Sequence, residues 1–486
     1  MTLEEILSIE DVATKISYLK KGRKYPLPNA VELYSDWNCN RHEIVTDTEK
    51  YPKIKLTIRE EKEVFDESTM KPVKIPAETK LVEPNRISIP LEQDIVNIQT
   101  AFTVGIEPTL ECTPSDDDKP MYDAIVQVFK KNKLKYQNRS IVRSWLSETE
   151  CAEYWYVVKD DGFWRKVKSF SENSISIPEY RLKSAVWSPF KGDRLYPFFD
   201  EKGDMIAFSR EYNIKGLDGV LRLYFMTITK DTVYIWESDP DWKVNKVFKH
   251  GFEKIPVIYC HRRRAYCDNI KPIRIRIEKL MSENADCIDY HFFPILKLFG
   301  DVDNFSGEFK NRIVRMSGEG ADAAYLTWNQ SSDPVKHEFE KLLNMAYAMT
   351  NTPRISFDQL QGLGNTLSGT AFRFMFMGAH MAVENHSEVI GEFMQRRVNF
   401  LVSALGSISQ SLKKSASTID IETNIVPYMI DDIGEKVKVA VEANQGGVWS
   451  RRKAIVFAGN AERLDEEMKE IEEEMKSRQA NNANME

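Results

Sequence analysis

Between Asp333 and Gly406 the apolar positions fall into two long helical stripes, separated by a stretch without helical spacing. Val335, Phe339, Leu342, Met345/Ala346 and Met349 recur at steps of three to four residues, the spacing of one helix face. Asp333-Pro334 opens the run with an acceptor side chain and a residue lacking the amide that a first turn leaves unpaired, so a helix of about four turns is predicted there. Pro353 stops it. Residues 354–367 carry Phe357, Leu360, Leu363 and Leu367 with Gly362 and Gly364, and read as a loop with apolar anchors. Ser368 can cap the next helix, whose stripe is Phe372, Phe376, Ala379, Val383, Ile390, Phe393/Met394, Val398, Leu401 and Leu405. A helix of that length exceeds what one compact core holds, which points to a larger assembly.

Upstream, residues 4–19 predict one short amphipathic helix with Ile6, Leu7, Val12 and Ile16 on its apolar side. Residues 53–80 alternate in pieces, with Ile54, Leu56 and Ile58 on one side, as strands or an exposed hairpin do. Ile95, Ile98 and Phe102 mark a helix terminated at Gly105, and 121–146 gives one or two more. The texture then changes. Residues 153–159, 164–167, 175–180, 184–187, 205–212, 220–229 and 232–236 are β-branched and aromatic runs, a mainly antiparallel region of about six strands. Asp-Gly at 161–162 and 218–219 supplies hairpin turns, and a strand over 254–260 closes the sheet. Bases could stack on such aromatics, but the interleaved basic residues that this would need are not consistently present.

Residues 272–298 predict a helix or a broken pair, running past Pro294 through Leu296 and Phe299 to Gly300. In the unit 301–332, residues 312–316 and 323–328 read as two strands joined through Gly318-Glu319-Gly320. Downstream come a strand over 418–426, a helix over 431–441, a break at Gly446-Gly447 and helices at 450–458 and 461–478. Residues 479–486 have nothing to bury and are expected to be disordered. The fold class is α+β.

At 486 residues, 42% hydrophobic and 29% charged, the chain is a folded soluble protein of several structural units. No apolar window is long enough to span a membrane, and the acidic N-terminus lacks a secretion signal, so synthesis in a cytoplasm is expected. Six scattered cysteines read as reduced thiols. A net charge of -7 argues against clamping nucleic acid over most of the surface, and leaves room for handling DNA without gripping it.

No catalytic, cofactor or metal set emerges. Cys260-His261 and Cys267 lack the second close ligand pair a structural zinc needs. His380, Glu384, His386 and Glu388 do not follow the zinc-protease order and read as solvated helix surface. Gly362 and Gly364 are not followed by the lysine of a phosphate loop. Arg262, Arg263 and Arg264 form a compact positive patch between a strand and a helix, open to an acidic partner, a neighbouring subunit, a phosphate backbone or plain solvent. The acidic run 462–476 carries a stripe of Leu464, Met468, Ile471 and Met475 and reads as an exposed helix packing on neighbours.

Val96 to Pro108 ends Thr-Val-Gly-Ile-Glu-Pro, Ile255-Pro256-Val257 stands before the helix at 272–298, and a small insertion follows at 301–332. By this order of parts the chain resembles the portal proteins of tailed bacteriophages, of the type with long non-contractile tails, and the likeness spans most of residues 30–475. Its strongest part is Asn351-Thr352-Pro353 followed after a loop by Leu367-Ser368-Gly369-Thr370-Ala371, with Gly446-Gly-Val-Trp-Ser450 ahead of an acidic helix near the end.

That resemblance implies an α/β wing over 1–256 with its aromatic-rich antiparallel part at 153–258, a linker and first stem helix at 257–300, and a clip at 301–332. It further implies a second stem helix at 333–352, a channel loop at 353–367, a long kinked helix at 368–413, a wing return at 414–445 and crown helices at 446–478. Phe357, Gln359, Leu360, Gln361, Gly362, Leu363, Gly364 and Asn365 would form the channel loop, with Gln359, Gln361 and Asn365 as candidates to face DNA. Arg312, Arg315, Glu319, Tyr325 and Trp328 would belong to the clip, and Arg262 to Arg264 to a subunit or partner contact. The implied function is a ring of about twelve subunits at one capsid vertex, passing double-stranded DNA without sequence specificity. Its implied partners are the large terminase subunit, head-completion adaptors, and the major capsid and scaffolding proteins. Rival readings are another virion assembly protein without a channel, or a nucleic-acid enzyme, for which no paired carboxylates present themselves.

Overall fold

The computed structural model describes residues 2–59, 62–66, 71–291, 295–305, 314–326, 333–354, 374–428, 433–459 and 464–483. At the N-terminus α1 (Leu3–Ser8) and α2 (Val12–Leu19) replace the single helix expected over 4–19, because Asp11 takes an extended conformation and its carboxylate accepts from Thr14 N. After α3 (Ala30–Trp37) and α4 (Glu43–Thr46), strands β1 (Ile54–Arg59), β2 (Lys62–Asp66), β3 (Lys71–Ile75) and β4 (Glu78–Val82) pair as nested antiparallel hairpins, β1 with β4 and β2 with β3. Then follow α5 (Leu91–Val104), capped at Gly105, β5 (Thr109–Glu111), α6 (Lys119–Asn132) and α7 (Leu134–Ser147). The last two are separated by Lys133 at φ +55°.

The aromatic region forms two antiparallel sheets. Strands β6 (Glu150–Lys159), then, after the short helix α8 (Lys168–Glu172), β7 (Tyr180–Trp187), and later β13 (Val257–His261) make a three-stranded sheet in the order β13-β6-β7. Between them β8 (Arg194–Phe199), β9 (Met205–Lys215), β10 (Leu221–Ile228), β11 (Thr232–Ser238) and β12 (Trp242–Lys249) form a five-stranded meander. The closing strand therefore joins β6 and not the meander.

Two expected strands are not strands. Residues 164–166 form a short 3-10 turn, since Asp160 accepts from Gly162 N and Phe163 N, and 175–179 carry no strand. Asp218-Gly219 does turn β9 into β10, with Gly219 at φ +79°. Of the strands of the meander, sequence reading missed β8 and β12, its two edges. An edge tolerates Pro197 and needs no alternating apolar face.

Beyond β13, α9 (Lys271–His291) ends short of the predicted stop at Gly300. Residues 295–300 belong instead to β14 (Ile295–Phe305), paired antiparallel with the single long strand β15 (Val314–Leu326). Gly318-Glu319-Gly320, expected as a turn, lies in β15 where the register slips: Phe299 pairs with Asp322 and Asp301 with Ser317, so these residues bulge opposite Gly300. Helix α10 (Asp333–Met349) starts as predicted. Next is α11 (Met377–Ile408), of 32 residues, with Phe376 at φ −96°, ψ 3° interrupting the helical run just before it. The Ser368 cap falls outside the described residues.

The chain finishes with α12 (Ser415–Thr418), β16 (Glu422–Asn424) on β5, α13 (Ile433–Gln445), α14 (Arg451–Phe457) and α15 (Leu464–Ala483). The expected strand over 418–426 shrinks to β16. The tail does not fray at 479: Gln479 and Ala480 are good helix formers and the helix carries on to Ala483. The main core gathers Ile95, Ile125, Ile141, Trp155, Ile258 and the inner face of α11, from Ile390 to Leu405. A second core, with Trp187, Phe208, Ile228 and Tyr259, lies between the two sheets.

Candidate functional site: a helix–hairpin–helix excursion and its anchorage

Helix α9, the β14–β15 hairpin and α10 leave the body of the chain and return to it. The two helices pack together, with Arg276 Nη2 of α9 2.8 Å from Glu338 Oε1 of α10. The N-terminal half of α9 is fixed by buried charge. Arg274, 2% exposed, meets Glu92 of α5 at 2.5 Å, Asp36 of α3 at 3.0 Å and Glu278 at 3.4 Å. Glu278 also accepts from Ile89 N at 3.0 Å and lies 2.5 Å from His42 Nδ1, while Lys271 reaches Asp36 at 2.8 Å. Burial pushes the Glu92 carboxyl up even with Arg274 beside it. Charges enclosed this way tolerate the loss of a partner poorly, so the network fixes where α9 leaves the body.

The other end of the excursion is clamped too. Asn351, at φ +48°, follows α10, and Gln99 Nε2 of α5 donates to Thr350 O (3.1 Å), Asn351 O (3.2 Å) and Thr352 Oγ1 (2.9 Å). Tyr266 Oη donates to Thr350 O at 2.6 Å and Tyr347 Oη to Asp94 at 2.5 Å. Arg354 Nη1 turns back to Glu340 at 2.7 Å and Asn344 at 3.0 Å, and holds the Glu340 carboxyl below its ordinary range. The Asn351-Thr352-Pro353 signature is thus the fixed root from which residues 355–373 depart.

On α11 the predicted stripe is buried from Phe376 to Leu405. Arg397, fully buried, donates from Nε to Glu153 of β6 and from Nη1 to Asn138 of α7, both at 2.7 Å. His386, expected on solvated surface, is enclosed: its Nδ1 lies 3.1 Å from Thr103 Oγ1, and the Trp145 and Tyr266 rings meet it edge-on. Thr103 of α5 and Trp145 of α7 cover the side of α11 on which it falls. Burial, and then the nearby Arg262, push the His386 pKa down to about 3.

The unfolded chain protonates His386 near pH 6.5 while the folded one resists, so stability is intact above that pH and lost as pH falls toward 3. His386→Gln should remove about 2 kcal/mol of the stability difference between pH 7 and pH 5. Urea melts at both pH values check this, and equal pH slopes for variant and wild type would refute it.

The arginine patch is divided. Arg262 lies largely buried between the Trp145 and Tyr266 rings, 4.8 and 5.3 Å from their centroids, with burial lowering its pKa. Arg263 lies over Tyr25 and Arg264 reaches Asp268 at 4.0 Å, both exposed. Of the residues expected in a clip, Arg315, Glu319 and Tyr325 stand on β15, Arg315 opposite Asn304 and Tyr325 opposite Leu296. Arg312, Trp328 and the channel-loop residues 357–365 lie outside the described residues. Cys260 and Cys267 point apart, one thiol 3.3 Å from Cys151 Sγ and the other 4.0 Å from Glu92 O. Among the described residues no group of three or more His, Cys, Asp or Glu could hold a metal ion, and no helix is long and apolar enough to cross a membrane.

The family model described as Phage portal protein, SPP1 Gp6-like, matches residues 40–481. The chain belongs to this family. As a portal protein it is a structural, non-catalytic component of the virion, serving DNA packaging and ejection at the head-to-tail connector. Two solved structures are similar to it, each at 10% identity over 76% of this chain: one from the neck of an empty gene transfer agent particle (90% of that chain, TM-score 0.41), one from the virion of a native gene transfer agent particle (88% of that chain, TM-score 0.37). No curated protein matches it.

Sequence reasoning missed the residues that hold the excursion in place, Gln99, Arg274, Glu278 and His42, and the Arg397–Glu153 pair that ties α11 to β6. One signal was available. Arg274 and Glu278, four apart on an otherwise apolar helix face beside Ile277, mark a charge pair set into the core.

Proposed function

We propose that portal subunits close head to tail into a ring of about twelve. In it α9 and α10 form the paired stem, the β14–β15 hairpin the clip, residues 353–367 the channel loop, and α14 with α15 the crown. The clip would dock the large terminase subunit during packaging and a head-completion adaptor afterwards, while the outer body meets capsid and scaffolding proteins. The observation that carries this reading is the excursion itself. Two packed helices anchored at both roots carry a two-stranded hairpin between them, and in sequence the second root leads directly into the glycine-containing stretch. Uncharged Gln359, Gln361 and Asn365 suit a surface past which phosphates slide, since tight neutralisation would hold the duplex in place.

A cryo-electron microscopy map of the assembled portal tests the placement. Residues 357–365 should line the narrowest radius, and finding them on the outer wall would remove the channel role. The exposed Arg263 and Arg264, with Arg262 beneath, would face carboxylates of the adjacent subunit. Replacing all three with alanine should lower the salt concentration at which rings dissociate, measured by mass photometry; unchanged oligomer mass across salt would make the patch a solvated loop.

A further inference from the structure

The outward side of α11 changes character along its length. From Glu384 onward the exposed positions are Glu384, Asn385, Glu388, Glu392, Arg396, Asn399 and Ser407, as on any solvated helix. Before Glu384 they are Met381 and Met377, preceded by Met375 and Phe374, exposed by 60%, 54%, 42% and 71%. The opposite side of this same stretch, Phe376, Ala379 and Val383, is already buried against Phe102 and Ile98. A helix apolar on both sides is one that buries both.

Helix α10 behaves likewise: Lys336 and Lys341 are exposed early, Met345 and Met349 late, at 46% and 55%. The C-terminal end of α10 and the start of α11 approach where Gly378 packs on the backbone of Asn351, a Cβ at Gly378 falling 3.7 Å from Asn351 O. Six large side chains half exposed offer on the order of 500 Å² of apolar surface. Summed over the two helices, that is more than half of the roughly 800 Å² each partner buries in a stable complex.

We infer that this methionine-rich face is covered by a second copy of the chain, as part of the subunit contact of the ring. The inference rests on the ring reading above. A ring built head to tail needs on each subunit two different surfaces, and this one is apolar, uncharged and set beside the root of the channel segment. Lacking cations, it offers DNA phosphates nothing to bind. Unbranched methionines repack readily, so this contact can adjust as neighbouring subunits shift while the rest of the interface holds.

Peroxide footprinting read by peptide mass spectrometry tests the inference on the full-length protein. Sulfoxide formation at Met345, Met349, Met377 and Met381 should fall about tenfold or more from dissociated subunits to rings. Equal oxidation in both states, as for a face lining the channel, would overturn it. Met377→Asp with Met381→Asp should convert rings to monomers that melt as dissociated wild-type subunits do, whereas the leucine pair should keep the rings. If the aspartate variant assembles like wild type, the inference fails while the ring stands; if it does not fold, the footprint decides. Should the wild-type protein form no ring, the ring reading itself fails, and this inference with it.

Discussion

Replacing residues 302–316, the outer part of the β14–β15 hairpin, with a short glycine turn should leave rings intact and abolish motor-dependent DNA packaging. The roots of the excursion lie far from the cut. Arg274 and Glu278 hold α9, Gln99 and Tyr266 hold the end of α10, and the inner pairs from Ile295–Leu326 to Phe299–Asp322 remain to close the stub. What the replacement removes is a ribbon with no third strand among the described residues, whose open edges want a partner's backbone. Nuclease-protected DNA in a packaging assay should fall to background while ring mass drops only by the deleted residues. Normal packaging would sink the clip assignment.

Arg397→Met should destabilise the subunit by about 3–5 kcal/mol, because it leaves Glu153 fully buried without its cation. Both side chains are inaccessible to solvent and 2.7 Å apart, and the pair joins the middle of α11 to the central strand of the three-stranded sheet. Adding Glu153→Leu should recover about half or more of the loss, since two apolar groups then replace two opposed charges. Chemical denaturation of dissociated subunits gives both values. A loss under about 1 kcal/mol for the single variant would show the pair to be no better than a surface one.

The local grammar of the chain made its helices legible. Asp333-Pro334, the stripe of α10 and the stripe of α11 rest on short-range spacing, and the structure follows them. The same grammar misled where one pattern serves two structures. Leu296 and Phe299 fit a helix step, but they belong to a strand whose partner begins only at Val314. Gly318 and Gly320 announce a departure from regular backbone without saying whether it is a turn or a bulge. The anchoring residues were the least legible of all. Arg397 and Glu153 are separated by 244 positions, and Gln99 and Thr352 by 253, so neither pair leaves a mark on its own neighbourhood. His386 misled for the same reason, since its burial is supplied by Trp145 and Thr103 from distant helices.

The two ends of the 355–373 segment share one support. Gln99 grips Thr352 just before it, and Phe102, one turn further along α5, meets Phe376 just after it with ring centroids 5.3 Å apart. Mechanically, the two ends of this segment hang from two hooks on a single beam. Its roots cannot spread or approach unless α5 itself deforms, and α5 is seated in the main core through Leu91, Ile95 and Val96. A load drawn along the segment is therefore carried into the body of the subunit at one place.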